Sequence, residues 1–197
     1  MNRRVLAFGG AVVLAIAIGW ALFVALPRWY RPRPTATVTA QQVPRVATPQ
    51  AAAARKITAT LYFVSDDGFS LVPAQREVAY AEDVAEQARA IIEAQLTPSP
   101  PLVSAIPNGT RLRQLFVTEH GDAFVDLSPE VSANHPGGSL EETLTVYAIV
   151  NALTVNLPAI THVQILVDGH EVDTLAGHVD LRQPLAKSLE WVVHDTH

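Results

Sequence analysis

The predicted domain is organised around the stretch from Gly137 to Gly169. Between Ser139 and Leu157 apolar side chains recur every three or four residues, which predicts a helix with one wide buried face. Ser139 and Glu142 have the spacing of a capping box, in which a hydroxyl and a carboxylate bond early backbone N–H groups. Pro158 predicts that the helix ends one or two residues earlier, because proline lacks an N–H and disfavours helical geometry before it.

A buried strand and a tight turn follow this helix. Val163 to Val167 is almost continuously apolar, which predicts a central strand of a sheet. Asp168-Gly169 is a hairpin signal, since glycine tolerates the positive φ of tight turns, and Glu171 to Leu175 are expected to pair back on the strand. On the helix, the polar residues Asn151 and Thr154 are expected to form hydrogen bonds within the core or to nearby chain.

A pair of strands and a further helix are predicted earlier in the chain. Ile57 to Phe63 alternates apolar and polar residues, as a strand with one buried face does. Asp66-Asp67-Gly68 has the composition of a turn. The residues from Leu71 to Tyr80 predict a short returning strand that is interrupted at Pro73. Apolar spacing from Glu82 to Leu96 predicts a helix.

The remaining strands complete the predicted fold. Leu112 to Thr118 and Asp122 to Leu127 predict a β-hairpin, and Ser128 begins a short turn or helix. The segment from Asp180 to Val193 holds enough apolar residues to dock a tail. The elements follow the order β-(β)-α-β-β-α-β, which predicts an α+β two-layer sandwich, a mostly antiparallel sheet with two helices on one face.

The N-terminus is predicted to be a membrane anchor that a spacer joins to the domain. Residues 1–4 are a short tail, and residues 5–26 contain no charged side chain over about 33 Å of helix, enough for a bilayer core. A cleaved signal peptide has a shorter apolar region, so this transmembrane helix is predicted to be retained. Residues 27–56 form a Pro/Ala/Thr-rich linker, residues 57–193 the domain and residues 194–197 a tail.

Composition excludes several functions. The chain has no cysteine, which excludes disulfides, thiolate nucleophiles, thiolate zinc sites and a cysteine-borne lipid anchor. Its formal net charge of −5 offers no basic surface to a nucleic acid. The nearest thing to a nucleophile motif is Ser139, which is already explained as a cap. The carboxylates Asp66 and Asp67 are explained by the turn, and His194 and His197 are expected to be tail residues.

A cluster of possible metal ligands lies near the C-terminus. His170, Asp173, His178 and Asp180 combine imidazole and carboxylate groups, which suit zinc or similar ions. They lack the His-x-x-x-His spacing that places two ligands on one face of a helix. We therefore predict exposed hairpin and loop histidines, with no catalytic, cofactor-binding or metal-binding residue, and a protein that is not an enzyme.

A series of short motifs carries a resemblance to a known family. In chain order they are Leu61-Tyr62-Phe63, Leu71-Val72-Pro73, Ile106-Pro107-Asn108-Gly109-Thr110, Ala123 to Ser128, Gly138 to Glu142, Val150 to Thr154 and Val163 to Gly169. In order and spacing they resemble the GerMN domain of sporulation and spore-germination proteins, from Ile57 to Leu181. The resemblance implies a compact domain of the bacterial envelope, similar to ring-building domains of sporulation and secretion machines, without established catalytic residues.

These observations predict a non-catalytic interaction module at the cytoplasmic membrane. It would be single-pass, tethered by residues 5–26, with its domain outside the cytoplasm, and its partners would be envelope proteins or further copies of itself. Docking would use a sheet edge or an open sheet face. The alternative is a binding domain for a small envelope ligand, such as a peptidoglycan or lipid fragment. Its pocket would be lined by aromatic residues from the set Tyr62, Phe69, Tyr80 and Phe116.

Overall fold

The structure, a computed structural model, describes residues 55–193. The predicted tails (1–4 and 194–197, the latter with His194 and His197), the predicted membrane helix (5–26) and all but the last two residues of the predicted linker (27–56) lie outside the described residues. Among the helices of residues 55–193, none combines the length and the apolar character needed to cross a membrane.

The first sheet is an antiparallel pair of strands. β1 (Lys56–Val64) and β2 (Leu71–Ala79) are joined by the predicted aspartate–glycine turn and pair along their whole length. The prediction that β2 is interrupted at Pro73 is wrong. Pro73 lies opposite Tyr62, whose backbone N–H and C=O bond the Gln95 side chain instead of β2. The missing N–H of Pro73 therefore removes no hydrogen bond from the ladder.

Within residues 55–193, three helices follow the predicted chain order. α1 (Val84–Leu96) begins after Asp83, whose carboxylate accepts a hydrogen bond from the backbone N–H of Glu86. α2 (Glu130–Ala133) is the short helix expected after the second strand pair. α3 (Ser139–Asn156) is the long apolar helix and ends where the following proline predicts.

The second sheet has five strands in the order β3-β4-β5-β6, and β7 also pairs with β5. The strands are β3 (Leu112–Val117), β4 (Asp122–Leu127), β5 (His162–Val167), β6 (His170–Glu171) and β7 (Leu185–Ala186). β3 and β4 form the predicted hairpin, and β5 is central, as predicted. β4 and β5 are parallel, because the chain crosses over through α3 and returns to the same end of the sheet.

The predicted α+β class is correct, but the single, mostly antiparallel sheet is not. The strands form two separate sheets, the second of them mixed, and α1 and α3 contact each other and strands of both sheets. The separation has a physical cause at β1. Its edge away from β2 pairs with no further named strand, because side-chain amides from both long helices bond its backbone groups at Thr60 and Tyr62.

The core is built from the apolar faces that the sequence predicts. Its largest fully buried side chains come from both sheets and both long helices, among them Leu61, Ile91, Leu127, Ile149 and Ile165. Burial of each such side chain contributes about 1.5–3 kcal/mol to folding.

The chain after β5 departs from the prediction. Asp168 and Gly169 form the predicted turn with positive φ angles of 54° and 80°. Only His170 and Glu171 pair back on β5, so the predicted strand from Glu171 to Leu175 is wrong. β7 takes the other end of the same edge of β5. The intervening loop turns away from the sheet because its backbone bonds a buried carboxylate on α3.

Candidate functional site

The polar side chains buried on α1 bind strand backbone. The Gln95 amide accepts a hydrogen bond from the backbone N–H of Tyr62 (2.9 Å) and donates to its C=O (2.7 Å). Gln87 does the same near the end of β2, accepting from Ala81 N–H (2.9 Å) and donating to Ala79 C=O (3.0 Å). Each amide thus replaces the backbone of a neighbouring strand and leaves no polar atom for a ligand.

Two asparagines of α3 repeat this arrangement. Asn156 accepts from the backbone N–H of Thr60 (2.8 Å) and donates to its C=O (2.7 Å), which closes the edge of β1 beside Gln95. Asn151 bonds the N–H (3.2 Å) and C=O (2.7 Å) of Ser188 and so holds the C-terminal segment on the helix. The predicted core hydrogen bonding of Asn151 is confirmed, although its partner is distant in sequence, and Thr154 bonds the nearby Val150 C=O.

The predicted capping box at the start of α3 is wrong. The residue before the helix is Gly138, whose φ of 91° is strained for any side chain, and no side chain caps the helix there. Ser139 is the first helical residue, and Glu142 points into the protein and does not return to the helix start. The capping interpretation failed because the pattern fixes the spacing of the two residues but not the direction of the carboxylate.

Glu142 is fully buried and organises the loop before β7. Its carboxylate accepts hydrogen bonds from the backbone N–H groups of Leu175 (2.7 Å), Ala176 (2.9 Å) and His178 (2.8 Å). The ring Nδ1 of His178 lies 3.2 Å from the same carboxylate. Burial alone would raise the pKa of Glu142, but the backbone donors outweigh it and hold the pKa below its ordinary value. The carboxylate is therefore ionised and structural.

We expect the contribution of Glu142 to stability to disappear in acid. Its folded-state pKa lies below the ordinary value of 4.5, so its stabilisation is complete above that pH and is lost as the pH falls through the folded pKa. The measurement is the difference in unfolding free energy between wild type and Glu142→Gln as a function of pH. A difference that stays constant from neutral pH to well below 4.5 would contradict this assignment.

The predicted metal-ligand candidates are not brought together. His170 Nδ1 lies 2.8 Å from the backbone C=O of Asp168, and His178 bonds Glu142. Asp180 is paired with the Arg182 guanidinium (2.7 Å), whose hydrogen bonds lower the pKa of that carboxyl to about 2. In residues 55–193 no group of three or more histidine and carboxylate side chains is arranged to hold a metal ion.

The four predicted pocket aromatics are also apart. Tyr62 is buried in the core, which raises its pKa, and Tyr80 stacks under the Arg55 guanidinium, 4.3 Å from the ring centroid. Phe69 and Phe116 are exposed on different elements. A cavity of about 400 Å³ does exist between residues 96–104 and 106–111, and none of these aromatics lines it. Its Thr110 hydroxyl is already bonded to backbone C=O.

The most distinctive surface lies at the turn end of the β1–β2 hairpin. Four segments run side by side there, because Val64 N–H donates to Val103 C=O (2.8 Å) and Leu71 bonds the backbone of residues 191 and 193. Seven large apolar side chains are exposed in the described residues, and four of them lie at this end. They are Phe69 (67% exposed), Val103 (62%), Val193 (41%) and Leu189 (38%). We call these four side chains the hairpin-end surface.

A groove of about 660 Å³ adjoins the hairpin-end surface. It is lined by the apolar Val72 and residues 101–103 and by the β1–β2 turn with Asp66 and Asp67. The Asp67 carboxylate accepts hydrogen bonds from the Ser65 hydroxyl and the Phe69 N–H, which lower its pKa and keep it charged. The predicted turn is therefore confirmed, and its carboxylates line a concave surface.

Sequence reasoning found only part of this surface. The sequence predicts Phe69 as a possible pocket residue and Leu189 and Val193 as part of the docking segment 180–193, whereas both are exposed, and it makes no prediction for Val103. Phe69 lies among polar residues in the turn Asp67-Gly68-Phe69-Ser70. A large apolar side chain in such a turn is the local sequence signal that indicates an exposed apolar surface. The approach of residues 103 and 191–193 to the turn is tertiary and has no local signal.

Comparison with known protein families identifies the family of this chain. The family model of the Germane domain, described as sporulation and spore germination, matches residues 60–173, more than half of the chain. The chain belongs to this family. The resemblance to GerMN domains that the motifs carry is thereby confirmed. The comparison with curated proteins finds no match.

Solved structures resemble the Germane domain in fold. The first GerMN domain of the sporulation protein GerM from Bacillus subtilis is 17% identical, with a TM-score of 0.50 over 68% of this chain and 98% of that chain. The tandem GerMN domains of the same protein are 17% identical, with a TM-score of 0.52 over 67% of this chain and 46% of that chain. A candidate lipoprotein from Clostridium perfringens is 26% identical, with a TM-score of 0.48 over 67% of this chain and 88% of that chain.

The Germane match contains only part of the features described above. Phe69 and Val103 lie inside residues 60–173, as does Glu142. The backbone donors that bind Glu142 begin at Leu175, and Leu189 and Val193 lie further on. The segment after residue 173 is thus joined to the Germane domain through Glu142 and Asn151 and completes the hairpin-end surface.

Proposed function

We propose that the chain is a non-catalytic, membrane-tethered interaction module of the bacterial cell envelope, and that the hairpin-end surface binds its partner. One observation carries the proposal: four of the seven exposed large apolar side chains in residues 55–193 are gathered at one end of the domain. Scattered surface apolar residues are normal, but several of them at one end of a domain, one of which lines a groove, are typical of protein-interaction sites.

The polar chemistry of the domain supports a non-catalytic role. Gln87, Gln95, Asn151 and Asn156 each bind both polar groups of a backbone segment, and Glu142 binds three N–H groups. Catalysis needs polar groups that converge on a substrate position with a free hydrogen-bonding valence. These five side chains, of which all but the half-buried Asn156 are buried, are occupied in holding the fold.

Docking at the end of the hairpin fits better than docking along the edges of the first sheet. The free edge of β1 is closed by Asn156 and Gln95. The free edge of β2 carries Pro73 and the charged Glu77, which are features that discourage strand addition. At the hairpin end, within residues 55–193, neither an edge-closing amide nor a proline with a charged neighbour stands in the way of a partner.

The hairpin-end surface lies at the end of β1 opposite to Lys56, where the predicted linker ends. The predicted linker joins at Lys56, and β1 then extends about 26 Å to Val64 at the turn. We propose that residues 5–26 anchor the chain in the cytoplasmic membrane, with residues 27–56 as spacer and the domain outside the cytoplasm.

Chemical crosslinking of the tethered protein in cells tests this proposal. We expect the full-length chain to be recovered with a discrete envelope protein, and a variant lacking residues 1–26 to lose that partner because it is no longer held at the membrane. Equal recovery of cytoplasmic proteins by both forms, or absence of any crosslinked neighbour, would contradict the proposal.

The cavity of about 400 Å³ supports a second candidate function, the binding of a small envelope ligand. Its volume lies within the range of ligand pockets, and the Arg111 guanidinium at its rim is largely exposed. Arg111→Ala separates the two functions. It would abolish binding of an anionic ligand in this cavity and would leave crosslinking through the hairpin end unchanged.

A further inference from the structure

The groove beside the hairpin-end surface has a chemistry that selects its partner. We infer that it binds an extended segment of a partner protein in which apolar residues are combined with lysine or arginine. This inference rests on the proposed interaction role and adds the partner's chemical class to it. The inference depends on the residues that line the groove, on the side chains around it and on the charge that it presents.

The groove combines two kinds of lining residue. Val72 and residues 101–103 offer apolar contact, and Asp66 and Asp67 add carboxylates. An apolar side chain against residues 101–103 would bury the exposed surface of Val103. A basic side chain next to it would meet the carboxylates, with its hydrocarbon stem against the apolar lining.

The charge of the groove is of one sign. Among the described residues no lysine or arginine lines it, and outside the groove Lys187 and Glu190 stand on either side of the exposed Leu189 in the sequence. Asp66 is exposed and forms no side-chain hydrogen bond among the described residues, so its carboxylate is open to a partner. Asp67 keeps one oxygen on Ser65 and Phe69 and presents the other outward. These carboxylates favour a cationic partner.

The same charge argues against two other occupants. A second copy of the chain, docked by the same surface around a two-fold axis, would bring acidic rims together. An anionic lipid surface would be repelled by Asp66 and Asp67. A basic and apolar protein segment is the occupant that matches both kinds of lining residue.

Peptide binding to the full-length protein tests the inference. The protein is placed in nanodiscs of zwitterionic lipid, and fluorescence anisotropy follows a labelled peptide of alternating lysine and valine. We expect this peptide to bind, and peptides of alternating glutamate and valine or lysine and serine to bind much more weakly. Empty nanodiscs measure binding to lipid.

Matched variants locate the interaction. Asp66→Asn with Asp67→Asn keeps the turn, because asparagine retains the accepting oxygen, and should weaken binding about fivefold, as expected for two exposed charge contacts. Phe69→Ser with Val103→Ser should weaken it as well. Glu82→Gln with Glu93→Gln removes the same charge from exposed positions elsewhere and should leave binding unchanged.

The outcomes separate this inference from the proposed function. Equal binding of the glutamate–valine peptide, no binding of the lysine–valine peptide, or no effect of the aspartate variants would overturn the partner chemistry. In each of these cases envelope crosslinking in cells would still support an interaction module. Peptide binding as expected, with no envelope partner in cells, would support the chemistry of the groove and overturn the proposed function.

Discussion

Replacing Glu142 by glutamine is expected to lower the free energy of unfolding by about 3 kcal/mol. The carboxylate is fully buried and accepts backbone hydrogen bonds from Leu175, Ala176 and His178. Glutamine has a single accepting oxygen, and its NH₂ group would face N–H donors that then have no partner. For a domain of this size the loss corresponds to a fall in melting temperature of roughly 10 °C.

Urea unfolding of the full-length protein in mild detergent, followed by circular dichroism, measures this effect. Glu141→Gln is the matched control, since Glu141 is the exposed neighbour on the same helix turn and its carboxylate accepts no hydrogen bond in the described residues. We expect the control to shift stability by only a few tenths of a kcal/mol. Equal unfolding midpoints for the two variants would show that Glu142 does not hold the loop.

Replacing Gln95 by methionine is expected to cost about 3 kcal/mol as well. Methionine has a similar volume, so packing changes little, but the backbone N–H and C=O of Tyr62 lose their partners in a buried environment. Each unsatisfied buried group costs about 1–3 kcal/mol. The amide proton of Tyr62 should also exchange faster with solvent, which hydrogen–deuterium exchange detects directly.

Gln75→Met is the control for this variant. Gln75 is exposed on β2, and its replacement should change stability by less than about 0.5 kcal/mol. If Gln95→Met left both the unfolding free energy and the exchange of Tyr62 unchanged, the amide would not be what closes the edge of β1. The division of the strands into two sheets would then need another cause.

These two residues also show why the sequence predicts the elements better than their arrangement. Helical spacing, Pro158 and the Asp168-Gly169 signal act over a few residues, and they predict the end of α3 and the turn after β5 correctly. The roles of Gln95 and Glu142 depend on Tyr62 and on the loop at 175–178, each 33 residues or more away in the chain.

A buried amide on an otherwise apolar helix face is the one local sign of such contacts. Gln87, Gln95 and Asn151 all lie among buried apolar residues of their helices. The sequence indicates that such a group needs a partner, but it does not identify the partner. The sheet arrangement follows from that identity, because an amide that bonds the edge of β1 occupies the place of a neighbouring strand.

The candidate site, too, is predicted from the sequence only where its interactions are local. The turn at Asp66 and Asp67 was predicted correctly as a turn, because its chemistry is local. Its place in the lining of a groove depends on Val103 and on the C-terminal segment, which reach it only in the folded chain. An interaction surface of this kind leaves no spacing pattern of the sort that marks metal ligands or nucleophiles.

The central claim is that the domain meets its partner through the hairpin-end surface, and position-specific photocrosslinking in living cells tests it most directly. A photoreactive amino acid is placed at Phe69 or Val103, and at the exposed control positions Gln114 and Glu93. The account predicts one envelope protein crosslinked from positions 69 and 103 and not from 114 or 93. A partner crosslinked from the control positions alone, or equally from all four, would contradict it.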